Sequence, residues 1–491
     1  MNTFMNNLEK DFNYTLTDNL ALAHKSTMSK VYDLFAFGGA YRNRSEEDCI
    51  VFFKDALLEN ESLAMKCLFY LRDIRGGQGE RRFFRTCFRW LANTYGETAR
   101  RNLVNVSEYG RWDDLIYSCV DTLLEKDMLK IVKHQLALDV QCKTPSLLAK
   151  WLPSLNASSK ETKRVANIIR DFLGMTSKQY RKTLSELRSR INIVERLMSQ
   201  NRWEEIEFDK IPSKAGLIYK NAFARRDIIS KRYENFMRSA DTKVNAETLY
   251  PYDIVRKALS LYRSNLNDIE RVAVQKYWDN QKDYFGGKPC SIMPVVDTSG
   301  SMTWSYSGNV KPIDVAISLG LYCAERNRGD FAGKYISFSS RPQLIETTGV
   351  DIVDKVERIY RTNLCSDTNL EATFDLLLSV AKRSKPEDIV KTLLIISDMQ
   401  INAGCIGIRS NGDVLTLMET IREKWRAAGI KMPKLVYWNV NASSNTILDL
   451  GPDVSCVSGC SPIIFEMVMS GKTGLDIMLD KLNSDRYKQV N

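Results

Sequence analysis

At Gly286-Gly287 the period of the apolar residues changes, and that change divides a chain of 491 residues into two kinds of structure. Upstream, apolar residues recur at steps of three and four. Leu184, Leu187, Ile191, Val194 and Leu197 form one stripe, with Arg181, Arg188 and Arg196 beside it, which is the spacing of an amphipathic helix. The same pattern predicts helices over 46–58, 63–72, 81–95, 113–133, 160–172 and 254–262. No strand-like alternation interrupts them, and connections such as Arg75-Gly76-Gly77-Gln78-Gly79 carry turn chemistry. Residues 1–285 are therefore expected to be an all-α, repeat-like module, although no fixed sequence period is visible. Downstream, apolar strands at 292–296, 334–338, 391–397, 434–440 and 454–457 alternate with helices at 313–326, 353–361, 370–382, 414–428, 463–469 and 475–482. Residues 286–491 are expected to form an α/β domain, a mostly parallel, doubly wound sheet with ligands at the carboxyl ends of its strands.

The first such strand runs out into Asp297-Thr298-Ser299-Gly300-Ser301. Asp297, Ser299 and Ser301 alternate at period two, so an extended backbone aims their three oxygens the same way. Mg²⁺ takes about six oxygens and keeps part of its water, so further ligands must come from elsewhere in the chain. Two later segments supply candidates: Leu393-Leu394-Ile395-Ile396-Ser397-Asp398, a strand ending in a carboxylate, and the polar loop Ser366-Asp367-Thr368-Asn369 before a helical pattern. Taken in chain order, the three segments resemble the von Willebrand factor A fold, a Rossmann-like domain with a metal-ion-dependent adhesion site. The resemblance implies a cation, Mg²⁺ or another such as Mn²⁺, held by Asp297, Ser299, Ser301, Thr368 and Asp398, with Gln400 able only to tune it from outside. Two positive charges against two carboxylates leave the centre near neutral, so the open position would receive an acidic side chain of a partner protein.

Net charge divides at the same boundary. From Gly286 onward 23 Lys and Arg meet 23 Asp and Glu, so the whole excess of +10 belongs to the first 285 residues. Between Arg170 and Arg232 there are 15 bases and 8 acids, and a second cluster uses arginine alone, from Arg72, Arg75, Arg81, Arg82 and Arg85 to Arg111. Arginine presents a planar fork that pairs phosphate and stacks on bases. A solvated, salt-bridged helix face is the plainer explanation of such runs.

The segments Arg72-Asp73-Ile74-Arg75-Gly76-Gly77-Gln78-Gly79-Glu80-Arg81, Tyr109-Gly110-Arg111-Trp112-Asp113-Asp114-Leu115 and Ile211-Pro212-Ser213-Lys214-Ala215 resemble a TROVE-like family, related in architecture to the Ro autoantigen. That resemblance spans nearly the whole chain. It implies a HEAT-like helical module ahead of the metal-site domain and a ribonucleoprotein role: binding of noncoding or misfolded RNA, structured or single-stranded. The candidate contacts are Arg75, Arg81, Arg82, Arg111, Arg181, Lys182, Arg188, Arg190 and Lys214. Tyr41, Tyr109, Trp112, Tyr180 and Trp203 stand near bases; core positions are expected for them, with Trp112 either a stacking platform or a lock on its turn.

Enzyme patterns fail at specific residues. Gly471-Lys472-Thr473 has Glu466 where a phosphate loop needs glycine, and Arg82 stands where a dinucleotide fingerprint needs one. Neither histidine lies beyond Gly286, and no Gly-x-Ser-x-Gly elbow occurs, so no enzyme is expected. The 11 cysteines are scattered and are expected as reduced thiols in a cytoplasmic protein. No apolar run reaches the roughly 18 residues a membrane helix needs, and residues 1–10 lack signal-peptide character. The alternative to RNA binding is a metal-dependent protein scaffold whose bases only solubilise its helices.

Overall fold

A computed structural model describes residues 12–17, 19–191, 193–262, 268–304, 310–338, 341–362, 369–401, 407–408, 414–442, 446–449, 451 and 453–491. Helices fill the first half, most with the boundaries their sequence dictates. Ser45, Asn60 and Ser159 each accept a hydrogen bond from the third amide of the helix they open, which fixes the starts of Glu46–Glu59, Glu61–Arg72 and Lys160–Phe172. Two expectations fail. The segment 113–133 is two helices, Trp112–Cys119 and Glu125–Gln141, because Asp121 takes a left-handed φ of 58° between them. The Leu184–Leu197 stripe is likewise split between Ser177–Arg190 and Val194–Ser199, with Ile191 in extended conformation. The first half also contains an antiparallel hairpin that periodicity did not reveal, Tyr14–Leu16 with Leu22–His24.

The second half is built on a six-stranded sheet in the order Val454–Ser458, Lys434–Asn439, Thr392–Ser397, Ile292–Asp297, Lys334–Phe338 and Gln343–Glu346. The first five strands are parallel and the last is an antiparallel edge absent from the expected set. Helices Pro312–Arg326, Ile352–Thr362, Leu370–Ala381, Leu417–Ala427, Ile464–Met469 and Gly474–Leu482 accompany it.

Alternation along the strands decides what each face touches. Val295, Leu393, Ile395, Leu435, Tyr437 and Cys456 belong to one apolar cluster, which continues through the helices between Lys30 and Arg190. Val296, Leu394, Ile396, Val436, Trp438 and Val457 belong to a second cluster, which continues through residues from Val194 to Phe285. The helical half thus contributes to the covering of both faces of the sheet. The change at Gly286-Gly287 marks a change of secondary structure, while the cores on either side run across it.

The glycine-rich loop after Glu61–Arg72 fastens the two halves together. Gly77 packs so close to the Tyr70 carbonyl that any Cβ there would collide with it, and Gly79 takes a φ of 74°. The tight path lets the Gln78 and Glu80 amides bond Tyr70 and Leu71 carbonyls, while Ser461 donates to the Gly77 carbonyl and Tyr250 to that of Gln78. The nine described cysteines are all free thiols. No helix among the described residues is long and apolar enough to cross a membrane.

Candidate metal and nucleic-acid sites

At the carboxyl ends of two adjacent central strands, Asp297 and Asp398 face each other's charge. Both are essentially excluded from solvent, at 0% and 2% exposure. The Ser397 hydroxyl donates to Asp297 Oδ2 at 2.6 Å and the Ser299 amide to Oδ1 at 2.9 Å. Asp398 accepts from the Gln400 amide at 3.2 Å and from the Ser301 side chain. Ser299 Oγ and Ser301 Oγ lie 3.1 Å apart. Burial raises the Asp297 carboxyl above the usual range; burial and then the Asp297 charge raise Asp398 in the same direction. Two carboxylates that resist ionising side by side, flanked by two hydroxyls, form a donor set that a hard divalent cation would relieve.

Four of the five residues expected at this site, Asp297, Ser299, Ser301 and Asp398, are therefore brought together. Thr368 lies outside the described residues. Among the described residues no third His, Cys, Asp or Glu joins the two carboxylates, so any cation here would depend on hydroxyl and water oxygens. Ser397 was missed; its place one residue before Asp398, at the end of the same strand, was the available signal. The hairpin at 14–24 braces this region: Thr17 donates to the Ile401 carbonyl and Asn19 to that of Gln400, both at 2.8 Å.

A second site opens on the helical half. Arg81, Arg82, Arg111 and Lys214, separated by up to 133 positions in sequence, line one cavity of about 730 Å³ together with Arg42, Arg72 and Arg85. The acids beneath explain how so many cations pack. Asp114, wholly buried, takes Arg72 Nη2 and Arg85 Nε, each at 2.6 Å, and the Arg111 amide at 2.9 Å. Asp113 takes Arg111 Nε at 2.8 Å, and Arg42 bonds Glu80. Arg111 also lies over the Trp151 ring, 3.7 Å from its centroid. The stretches around Arg72 and around Asp113-Asp114 are thus joined by buried ion pairs that hold the cavity floor.

Arg81 is different. It makes no hydrogen bond or ion pair among the described residues. Burial, and then the Arg111 cation, pull it below the ordinary arginine value, against the opposing charges of Asp114 and Asp113 and with Arg85 adding to the effect. Arg82 donates to the Arg44 carbonyl at 2.6 Å and also bonds the Cys49 side chain, and Lys214 has a loose partner in Asp253 at 3.5 Å.

The remaining candidates separate. Arg75 is exposed beside the cavity, on the glycine-rich loop, and Arg181 and Lys182 are exposed on Ser177–Arg190, where Arg181 lines another cavity of about 560 Å³. Arg188 and Arg190 are used by the protein itself. Arg188 bonds the Ala149 carbonyl at 2.7 Å, the Leu152 carbonyl at 2.9 Å and Ser154 Oγ at 3.2 Å; Arg190 bonds the Val140 carbonyl at 2.9 Å and that of Cys142 at 3.1 Å. Each neutralises a helix carboxyl end, a role that charge counting cannot distinguish from ligand binding. Tyr41, Tyr109, Tyr180 and Trp203 are buried, and Trp112 packs half-buried against the core. Arg42, Tyr250 and Tyr252 were missed as lining residues; Tyr41-Arg42-Asn43-Arg44 carried the only hint.

Residues 17–132 and 155–283 match a family described as a domain of unknown function, DUF2828, and residues 291–489 match another, DUF7788. "Uncharacterized protein L728" of Acanthamoeba polyphaga mimivirus is 30% identical over 483 residues, covering 89% of this chain and 81% of that protein. Among solved structures, the Deinococcus radiodurans RO (RSR) protein aligns over 92% of each chain at 13% identity with a TM-score of 0.41.

Proposed function

This chain belongs to the family of the mimivirus protein L728, and from its own side chains we propose that it is an RNA-binding protein that also docks an acidic partner through a divalent cation. The observation that carries the reading is the convergence of Arg81, Arg82, Arg111 and Lys214 on one cavity, where Arg81 makes no hydrogen bond or ion pair among the described residues. Bases that a fold gathers in excess of its acids attract a polyanion, which binds with release of its counterions. The TROVE-like signature segments favour RNA as that polyanion. Arg181 and Lys182, exposed on a separate helix, extend the basic surface available to a longer strand.

In the second half, Asp297, Ser299, Ser301 and Asp398 would hold Mg²⁺ or Mn²⁺, which supplies a Lewis-acidic position for a carboxylate from another protein. The protein's own contribution is to bury both aspartates and to orient them through Ser397 and the Ser299 and Gln400 amides. The site is adhesive in this reading and carries out no reaction.

Filter binding of a single-stranded RNA at increasing salt tests the RNA part. Affinity should fall steeply as salt rises, and Arg81→Glu with Lys214→Glu should weaken binding at least tenfold at 150 mM salt. Equal binding by the variant overturns the role of the cavity. Absence of salt-dependent RNA binding altogether leaves the metal-dependent scaffold as the surviving function.

A further inference from the structure

The cavity around Arg81 has features that a simple track for an RNA backbone does not require. We infer that it seats a terminal phosphate monoester of an RNA strand, a refinement that rests on the RNA reading above.

Charge is the first argument. Seven bases and two acids, Glu46 and Glu80, line the cavity; Asp113, Asp114 and Asp253 lie against those bases, leaving two positive charges unmatched. An internal phosphodiester carries one negative charge. A terminal monoester carries close to two at neutral pH and offers three acceptor oxygens.

Shape is the second. The walls come from separate stretches, near Arg42, between Arg72 and Thr86, at Arg111, at Lys214 and from Thr248 to Tyr252, which surround a pocket of about 730 Å³. Bases drawn from that many stretches can meet a compact anion from several directions.

Chemistry of the lining is the third. The rings that line it, Tyr250 and Tyr252, are stacked on each other with centroids 5.3 Å apart and are at least nine-tenths buried. Their hydroxyls are engaged by the Gln78 carbonyl and by Arg42. These rings leave no face for a base, while the Arg81 guanidinium makes no hydrogen bond among the described residues, so the pocket selects phosphate over nucleobase.

The test compares one oligoribonucleotide in three forms, with a 5′ phosphate, with a 3′ phosphate and with hydroxyls at both ends, bound to the full chain and to Arg81→Gln. A phosphorylated form should bind at least tenfold more tightly than the hydroxyl form, and Arg81→Gln should abolish that advantage, weakening the phosphorylated form by more than it weakens the hydroxyl form. Thermal unfolding of Arg81→Gln should match the wild type, because the side chain makes no hydrogen bond or ion pair among the described residues. Equal binding of all three forms by the wild type overturns the inference and leaves RNA binding intact. Binding of none overturns both. Inorganic phosphate that displaces the phosphorylated RNA at micromolar concentration would also overturn it, since the pocket would then serve a small anion.

Discussion

Arg486 grips the Asp73 carboxylate through Nε and Nη2, the latter at 2.8 Å, and so joins positions 413 residues apart. Tyr487 adds its hydroxyl to the same carboxylate at 3.1 Å, and Tyr109 donates to the Arg486 carbonyl. Asp73→Ala should cost about 2–4 kcal/mol, because it strips a buried partner from a charge-assisted pair. Urea unfolding measures the loss, and limited proteolysis should show earlier cleavage near Arg486. A change below about 0.5 kcal/mol, the scale of neutral surface substitutions, would show that the clamp is dispensable.

Mg²⁺ should raise the midpoint of thermal unfolding, since a ligand at a hundredfold excess over its dissociation constant contributes about 2.7 kcal/mol. Asp398→Asn should lose that response. It should also be more stable than the wild type in chelator, because it removes the carboxylate that repels Asp297. Stabilities that keep the same order with and without the cation would refute the metal assignment.

Arg271 Nε and Nη2 each bond Asp351 at 2.7 Å, tying a helix of the first half to the start of Ile352–Thr362. Burial alone would raise the Asp351 carboxyl; the Arg271 fork outweighs it and holds the group below its usual value. A lowered carboxylate contributes stability above its unfolded pKa and loses it as pH falls through the folded one. Arg271→Met should therefore cost about 1 kcal/mol near pH 7, discounted for partial exposure, with a difference that shrinks as acid protonates Asp351 in both proteins. Urea titrations between pH 3 and 7 check this, and a difference that does not vary with pH contradicts it.

Arg188→Ala should destabilise the fold by about 1–3 kcal/mol through three lost hydrogen bonds, with little effect on RNA affinity. Arg181→Glu with Lys182→Glu should do the reverse. Paired unfolding and filter-binding measurements separate the two effects, and loss of RNA affinity in Arg188→Ala would reassign that residue.

The sequence made the strands ending at Asp297 and Ser397 legible because apolar runs stop abruptly at polar residues, and Asp297 with Asp398 followed from that geometry. The edge strand Gln343–Glu346 was hidden because its exposed, mixed side chains carry no alternating apolar signal. The hairpin Tyr14–Leu16 with Leu22–His24 is too short for a period to appear. Basic residues were easy to count and hard to assign: Arg81 and Arg188 look alike on the page, and only their neighbours distinguish an uncommitted cation from one closing a helix. The glycine-rich segment was legible as a turn, but not that its glycines answer to the Tyr70 carbonyl and the Tyr250 hydroxyl.

Because the stretch before Arg190 supports one side of the sheet and the stretch after Val194 supports the other, neither half can be exchanged like a cassette. Grafting the sheet onto foreign helices would bare apolar surface on both sides at once. Inheritance of this architecture should preserve the pairing as a unit, and a partner pulling on either half would transmit the load through a shared interior with no linker to absorb it.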